Sequence, residues 1–170
     1  MVTWNAYIAL LAGEGNTEKT LEMFEKMKDT NVKPNESTFN SILLTCCRTG
    51  FVVEGVKYFH SMIKDHDIGP NIQHYGILLD LLGRAGDFYG VKQTLESMPM
   101  EAPITIWLSL LAACKMHGTV EVAKEAFAQA VRLQPEEDSA YVLMSNIYSE
   151  AGMEQLADKV KYSQKSRVAN

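Results

Sequence analysis

An all-α fold, a right-handed α-solenoid of about five tandem helix-turn-helix hairpins, is what the sequence predicts, and three observations predict it. Aromatic residues stand at Trp4, Phe39, Tyr75, Trp107 and Tyr141, at intervals of 35, 36, 32 and 34 residues. Gly15, Gly50, Gly86, Gly118 and Gly152 repeat the same four intervals, always 11 residues behind the aromatic. Met27, Met62 and Met98 follow the first two. Uneven intervals shared by separate residue types mark one supersecondary unit used repeatedly.

Each unit divides into the same elements. Between aromatic and glycine the apolar residues fall at helical spacing, as in Ile8, Leu11 and Ala12, or Ile77, Leu78, Leu81 and Leu82, which predicts a first helix. The glycine supplies the left-handed turn that ends it. Leu21, Phe24 and Met27, or Val56, Phe59 and Met62, then mark a second amphipathic helix. Pro34, Pro70, Pro103 and Pro135 stand near the unit ends, where proline is expected to stop that helix. Neither helix can bury its apolar stripe alone, so neighbouring hairpins must stack, with a concave binding face lined by first-helix residues. The periodic aromatics and methionines read as packing positions within that stack.

The 170 residues are 46% hydrophobic and 22% charged, which excludes disordered and collagen-like chains. Net charge is −5, and no unit is net positive, so there is no basic stripe and isolated affinity for a polyanion should be weak. Cys46, Cys47 and Cys114 lack C-x-x-C spacing, which argues against a zinc clip or disulfide framework and for a reducing compartment. No apolar run approaches the ~18 residues of a membrane span. The start, MVTWNAYIALLAGEG, lacks a secretory signal and reads as cut from something longer. That leaves a first-hairpin face, with Tyr7, Leu11 and Phe24, expected to favour self-association. The H-x-E and P-C-x-x-C strings of a zinc nucleobase deaminase are missing, as are phosphate-binding and nucleophile-elbow motifs. His60, His66, His74 and His117 lack ligand partners and read as surface or helix-end residues, so no enzyme, metal or cofactor is expected.

The first unit, MVTWNAYIALLAGEGNTEKTLEMFEKMKDTNVKPN, resembles the pentatricopeptide repeat of plant organelle proteins. The tetratricopeptide repeat wants a small residue four places after the aromatic, where this chain has Ile8, Leu43, Leu79, Leu111 and Ser145. By resemblance, 1–35 is a P-type motif, 36–71 an L-type and 72–103 an S-type, as in the PLS class. Segments 104–137 and 138–170, with W-x-x-L-L-A-A-C from Trp107 and Y-V-L-M-S-N-I-Y from Tyr141, resemble the two E motifs of organellar RNA-editing factors. The first of these is also similar to a tetratricopeptide repeat at Ala123, Phe127, Ala130 and Pro135.

The resemblance implies a protein of chloroplast or mitochondrion that selects cytidines in transcripts for conversion to uridine. Its partners would be single-stranded organellar RNA, a DYW-type cytidine deaminase supplied in trans or by a downstream domain, and multiple organellar RNA editing factors. The family reads bases with the fifth and last residues of a motif, here Asn5 with Asn35 and Asn40 with Asn71. Its pattern makes Asn with Asn a pyrimidine reader, cytosine more than uracil, and Thr with Asp a guanine reader. The second position packs against bases; Val2 fits, whereas Ser37 and Gln73 depart. The third motif has Gly76 and Pro103 at its reading positions, and the E motifs have Leu108 and Val142 on the first helix, so little base selectivity is expected there. The E motifs imply protein docking around Trp107, Ala123, Phe127 and Tyr141. The residues themselves leave other readings open: an Asn near a helix start also caps it, the E motifs also serve as terminal caps, and all five units can form a protein-interaction scaffold without RNA. Lys159, Lys161, Lys165 and Arg167 form the one basic patch, suited to RNA phosphate or to a helix C-terminus.

Overall fold

The computed structural model describes residues 2–168, with side chains for 4–164. Ten helices are present among them: α1 (Val2–Gly13), α2 (Thr17–Asp29), α3 (Glu36–Thr49), α4 (Val52–Lys64), α5 (Ile72–Arg84), α6 (Phe88–Ser97), α7 (Ile104–His117), α8 (Val120–Leu133), α9 (Asp138–Glu150) and α10 (Glu154–Val168). The fold is an all-α helical repeat. All five periodic glycines hold φ between 66° and 76°. After four of them the next amide reaches back across the turn, Asn16 to Leu11, Phe51 to Cys46, Thr119 to Cys114 and Met153 to Tyr148, closing the open carbonyls of the first helix.

Pro135 directly follows Gln134, the extended C-cap of α8, as expected of a helix stop, but Pro34 and Pro70 do not stop the second helices before them. α2 and α4 end at Asp29 and Lys64, well before Pro34 and Pro70, and the chain then turns through Asn31 (φ 57°) and Asp67 (φ 54°), whose short polar side chains tolerate the left-handed region. Ile68 N–H bonds Met62 carbonyl around Asp67, a closure one residue wider than the one the glycines make. Pro103 instead begins α7 as its N-cap.

The chain divides into two compact units, 1–85 and 86–170, and the division falls between the helices of the third sequence unit. In the first, α1, α3 and α5 pack side by side, and α2 and α4 cover them. Phe24 centres this core: its ring lies edge-on to Phe39 and Tyr58, each at 5.5 Å. Leu11 and Phe24 are therefore core residues rather than an open face; on α1 the exposed large apolar side chains are Tyr7 and Leu10. The buried Thr17 hydroxyl of α2 is satisfied from α3, by Thr49 at 2.9 Å and Thr45 at 3.4 Å. In the second unit α7 pairs with α8 and α9 with α10, and α9 packs on both α7 and α8. Ala123, Ala126 and Ala130 are fully buried there, and their small size lets the helices approach closely.

Met27 and Met62 are fully buried, as the periodicity requires, whereas Met98 caps the shorter α6 and is only half-buried. The histidines correct the expectation of surface sites in one case. His74 is fully buried, and His66 is half-buried with its ring 5.3 Å from that of Phe39. His60 and His117 are exposed.

Burial pushes the Cys46 thiol up to about 11. It pushes Cys47 up to about 12, helped by the Asp80 carboxylate that accepts its S–H at 3.2 Å. Below the ordinary thiol value of 9.0 both are neutral in either state and cost nothing. Above it the unfolded chain ionises first, so stability falls as pH rises from about 9 toward about 12. Urea unfolding at pH 7 and pH 10 should show this loss, and Cys46→Ser with Cys47→Ser should flatten it. Gly50→Val should cost on the order of 1–2 kcal/mol through backbone strain alone, because a Cβ at Gly50 meets no atom within 4 Å. Gly50→Asn should cost less, and the urea midpoints of the two variants check the order.

Candidate RNA-reading site

The candidate site lies where each first helix begins, because that is where amide side chains both cap and face the preceding first helix. Asn35 is the N-cap of α3, extended at φ −132°, and its Oδ1 accepts Thr38 N–H at 3.1 Å. Thr38 returns the bond: its Oγ1 accepts Asn35 N–H at 3.0 Å, completing a capping box. Asn5, one hairpin earlier on α1, joins this box. Its Nδ2 donates to Asn35 Oδ1 at 3.0 Å and its Oδ1 accepts the Thr38 hydroxyl at 2.7 Å. The structure thus brings together Asn5 and Asn35, both half-buried.

The second pair is arranged differently. Asn71 is the N-cap of α5, its Oδ1 accepting from the amides of Gln73 at 3.0 Å and His74 at 3.3 Å. Its Nδ2 donates to Glu36 at 3.0 Å. Asn40 Nδ2 donates to Gln73 Oε1 at 3.1 Å, and Asn40 Oδ1 is buried without a hydrogen-bond partner. His74 stands where Thr38 stands in the first box. Its Nδ1 accepts Asn71 N–H at 3.1 Å, so Nε2 carries the proton and donates to the Glu36 carbonyl at 3.1 Å. The imidazole spends both nitrogens on backbone.

Gly76 lies on α5 with open space where a Cβ would stand, and Pro103 belongs to the other compact unit. Leu108 is half-buried and Val142 exposed. Val2, the base-packing candidate, and Lys165 and Arg167 of the basic patch lie outside the described side chains; Lys161 is 3.9 Å from Asp158.

The docking candidates fall into two groups. Ala123 is fully buried and Tyr141 is 3% exposed, its hydroxyl donating to the Pro135 carbonyl at 2.9 Å. Phe127 is half-buried with its ring edge-on to Tyr141 at 5.3 Å. Trp107 is half-buried, donates Nε1 to the Ala102 carbonyl at 3.1 Å, and lines a groove of about 640 Å³ with Phe88, Leu95, Leu110 and Ala126. Ala123 and Tyr141 are therefore packing residues, and Trp107 and Phe127 are the two with surface to offer.

Sequence reasoning missed Thr38, Gln73, His74 and Glu36. The signal was present as Asn-x-x-Thr at 35–38 and Asn-x-x-His at 71–74, capping patterns one residue ahead of the buried aromatic.

Comparison with known proteins places the chain in a family. Residues 1–48 match the PPR repeat family, residues 37–66 the PPR repeat and residues 117–170 the E motif. A mitochondrial pentatricopeptide repeat-containing protein of Arabidopsis thaliana is 42% identical over 153 residues, 89% of this chain and 17% of that protein. A second mitochondrial one is 39% identical over 161 residues, 95% of this chain and 29% of that protein. The crystal structure of the pentatricopeptide repeat protein PPR10 from maize superposes with a TM-score of 0.78 at 20% identity, over 98% of this chain and 24% of that one. PPR10 has also been crystallised in complex with an 18-nt PSAJ RNA element. The chain belongs to the pentatricopeptide repeat proteins and carries an E motif. It spans less than a third of the length of the curated relatives it matches.

Asn35→Ala should cost about 1–2 kcal/mol, since it removes a cap and strands a half-buried amide. Urea denaturation monitored by helical circular dichroism checks it, with Asn16→Ala at the more exposed cap of α2 expected to cost less.

Proposed function

We propose that this chain is the RNA-binding and deaminase-recruiting part of an organellar C-to-U RNA-editing factor of the PLS class, working in chloroplast or mitochondrion. The observation that carries the reading is the bonded Asn5–Asn35 pair, held in fixed geometry at the edge of a helix stack. Two amides so held offer a donor and an acceptor to the Watson–Crick edge of one base, as helical-repeat RNA readers do. Asn40 and Asn71 would read a second base, with Val2 packing beside the first. The E-motif segment would dock the deaminase or other editing factors through surface near Trp107 and Phe127, with Ala123 and Tyr141 supporting it from within. Catalysis then belongs to the deaminase. Organellar residence is supported by relatives named mitochondrial.

A scaffold that binds polypeptide throughout is the competing reading, and the groove beside Trp107 favours it. One titration separates the two. With single-stranded RNAs differing only at the base facing the first motif, the unaltered chain should prefer a pyrimidine, and Asn5→Thr with Asn35→Asp should move preference toward guanine. A base profile that the exchange leaves unchanged removes the assignment, and binding of peptide without RNA would establish the scaffold.

A further inference from the structure

We propose that Thr38 is a positioning residue that sets which end of the Asn5 amide faces the base, and so governs discrimination between cytosine and uracil at the first motif. The inference rests on the reading of Asn5 as a base-contacting residue. A carboxamide has nearly the same shape after rotation by 180°, so shape alone does not decide where its N–H and C=O point. Hydrogen bonds decide it.

Here they form a closed circuit that starts from backbone. Thr38 N–H donates to Asn35 Oδ1, which makes that oxygen an acceptor. Asn35 Oδ1 in turn accepts Asn5 Nδ2 at 3.0 Å; a reversed Asn5 would put two oxygens at that distance. On the other side, Thr38 Oγ1 already accepts Asn35 N–H, and its single proton has two acceptors in reach, Asn5 Oδ1 at 2.7 Å and Asn35 Oδ1 at 3.1 Å. The nearer is Asn5. Thr38 is fully buried, so no water competes for that proton. These bonds take one N–H and one lone pair of Asn5. The second N–H and the second lone pair of this half-buried side chain remain for a base, in fixed positions.

Orientation matters most between the two pyrimidines. Cytosine N3 accepts a hydrogen bond and uracil N3–H donates one, so an amide held with a given end forward favours one of them, whereas an amide free to reverse suits both. The second motif supplies the contrast within the same chain. There His74 replaces the hydroxyl and spends both ring nitrogens on backbone, Asn40 Oδ1 has no hydrogen-bond partner, and the amide is held through the exposed Gln73.

The test measures dissociation constants by fluorescence anisotropy, at low salt, for single-stranded RNAs carrying either C or U opposite the first motif. Removing one orienting hydrogen bond in Thr38→Val should lower the cytosine-to-uracil ratio roughly fivefold, or to unity. Thr38→Ser, which keeps the hydroxyl, should restore it. A Thr38→Val chain that loses affinity for both RNAs alike, with its ratio intact, overturns the inference and leaves Asn5 as the base reader. An unchanged ratio in Asn5→Ala overturns the base-reading assignment itself. Side-chain amide exchange in the unaltered chain, followed by NMR, needs no variant: one Asn5 Nδ2 proton should be protected and its partner open, and equal fast exchange of both overturns the fixed orientation.

Discussion

A backbone turn at φ between 66° and 76°, made by Gly15 and its four counterparts, returns the chain antiparallel after every first helix, and the candidate site depends on that reversal. An L-residue with a Cβ pays in strain for this conformation, and glycine does not. Once the hairpin closes, each helix can bury its apolar stripe only against the next hairpin. In the first compact unit this sets α1, α3 and α5 side by side, with α2 and α4 behind them. Within that unit the start of α3 lies against α1 and the start of α5 against α3, which is how Asn35, at a chain separation of 30 residues, meets Asn5.

Capping and base reading are often weighed as rival explanations of an asparagine near a helix start. In this chain they are one constellation. Asn35 Oδ1 satisfies an orphan amide of α3 and, by doing so, becomes the acceptor that holds Asn5. The energy that stabilises the helix terminus also fixes the two amides relative to each other, which under the proposed base reading leaves little to order on binding. In the second compact unit the first helices start without asparagine: α7 begins at Pro103 with no side-chain cap, and α9 at Glu137, whose carboxylate accepts Ser139 N–H. Its first helices carry Leu108 and Val142 where α1 and α3 carry asparagines. The residue after the periodic aromatic thus differs between the units, asparagine where bases are proposed to bind and an apolar residue where protein contact is proposed.

Several expectations failed for a shared reason. Proline in a sequence marks a place where a helix cannot continue, but it does not mark where the helix stops; α2 and α4 end before Pro34 and Pro70, and the chain then turns through Asn31 and Asp67, left-handed turns that no proline pattern signals. His74, expected at the surface or at a helix end, is at a helix start but buried, because its partners, the Asn71 amide and the Glu36 carbonyl, are backbone groups without a side-chain signature. Leu11 and Phe24 looked like an uncovered face because the count of hairpins says nothing about how deeply one hairpin buries its own stripe.

The hairpins, their glycine turns and the burial of Phe39, Tyr75, Tyr141, Met27 and Met62 were determined by sequence alone, since each follows from local dihedral preference or from the angular period of a helix. The division between Ala85 and Gly86, inside one sequence unit, was not. Nor was the partner of each amide: Asn5 bonds Asn35 and Thr38, whereas Asn40, at the same place in its motif, bonds Gln73. Those pairings join residues on different helices, and a hydrogen bond that weakens steeply within half an ångström responds to helix-to-helix distance and rotation that no single-helix pattern encodes. Only the packed tertiary structure decides them.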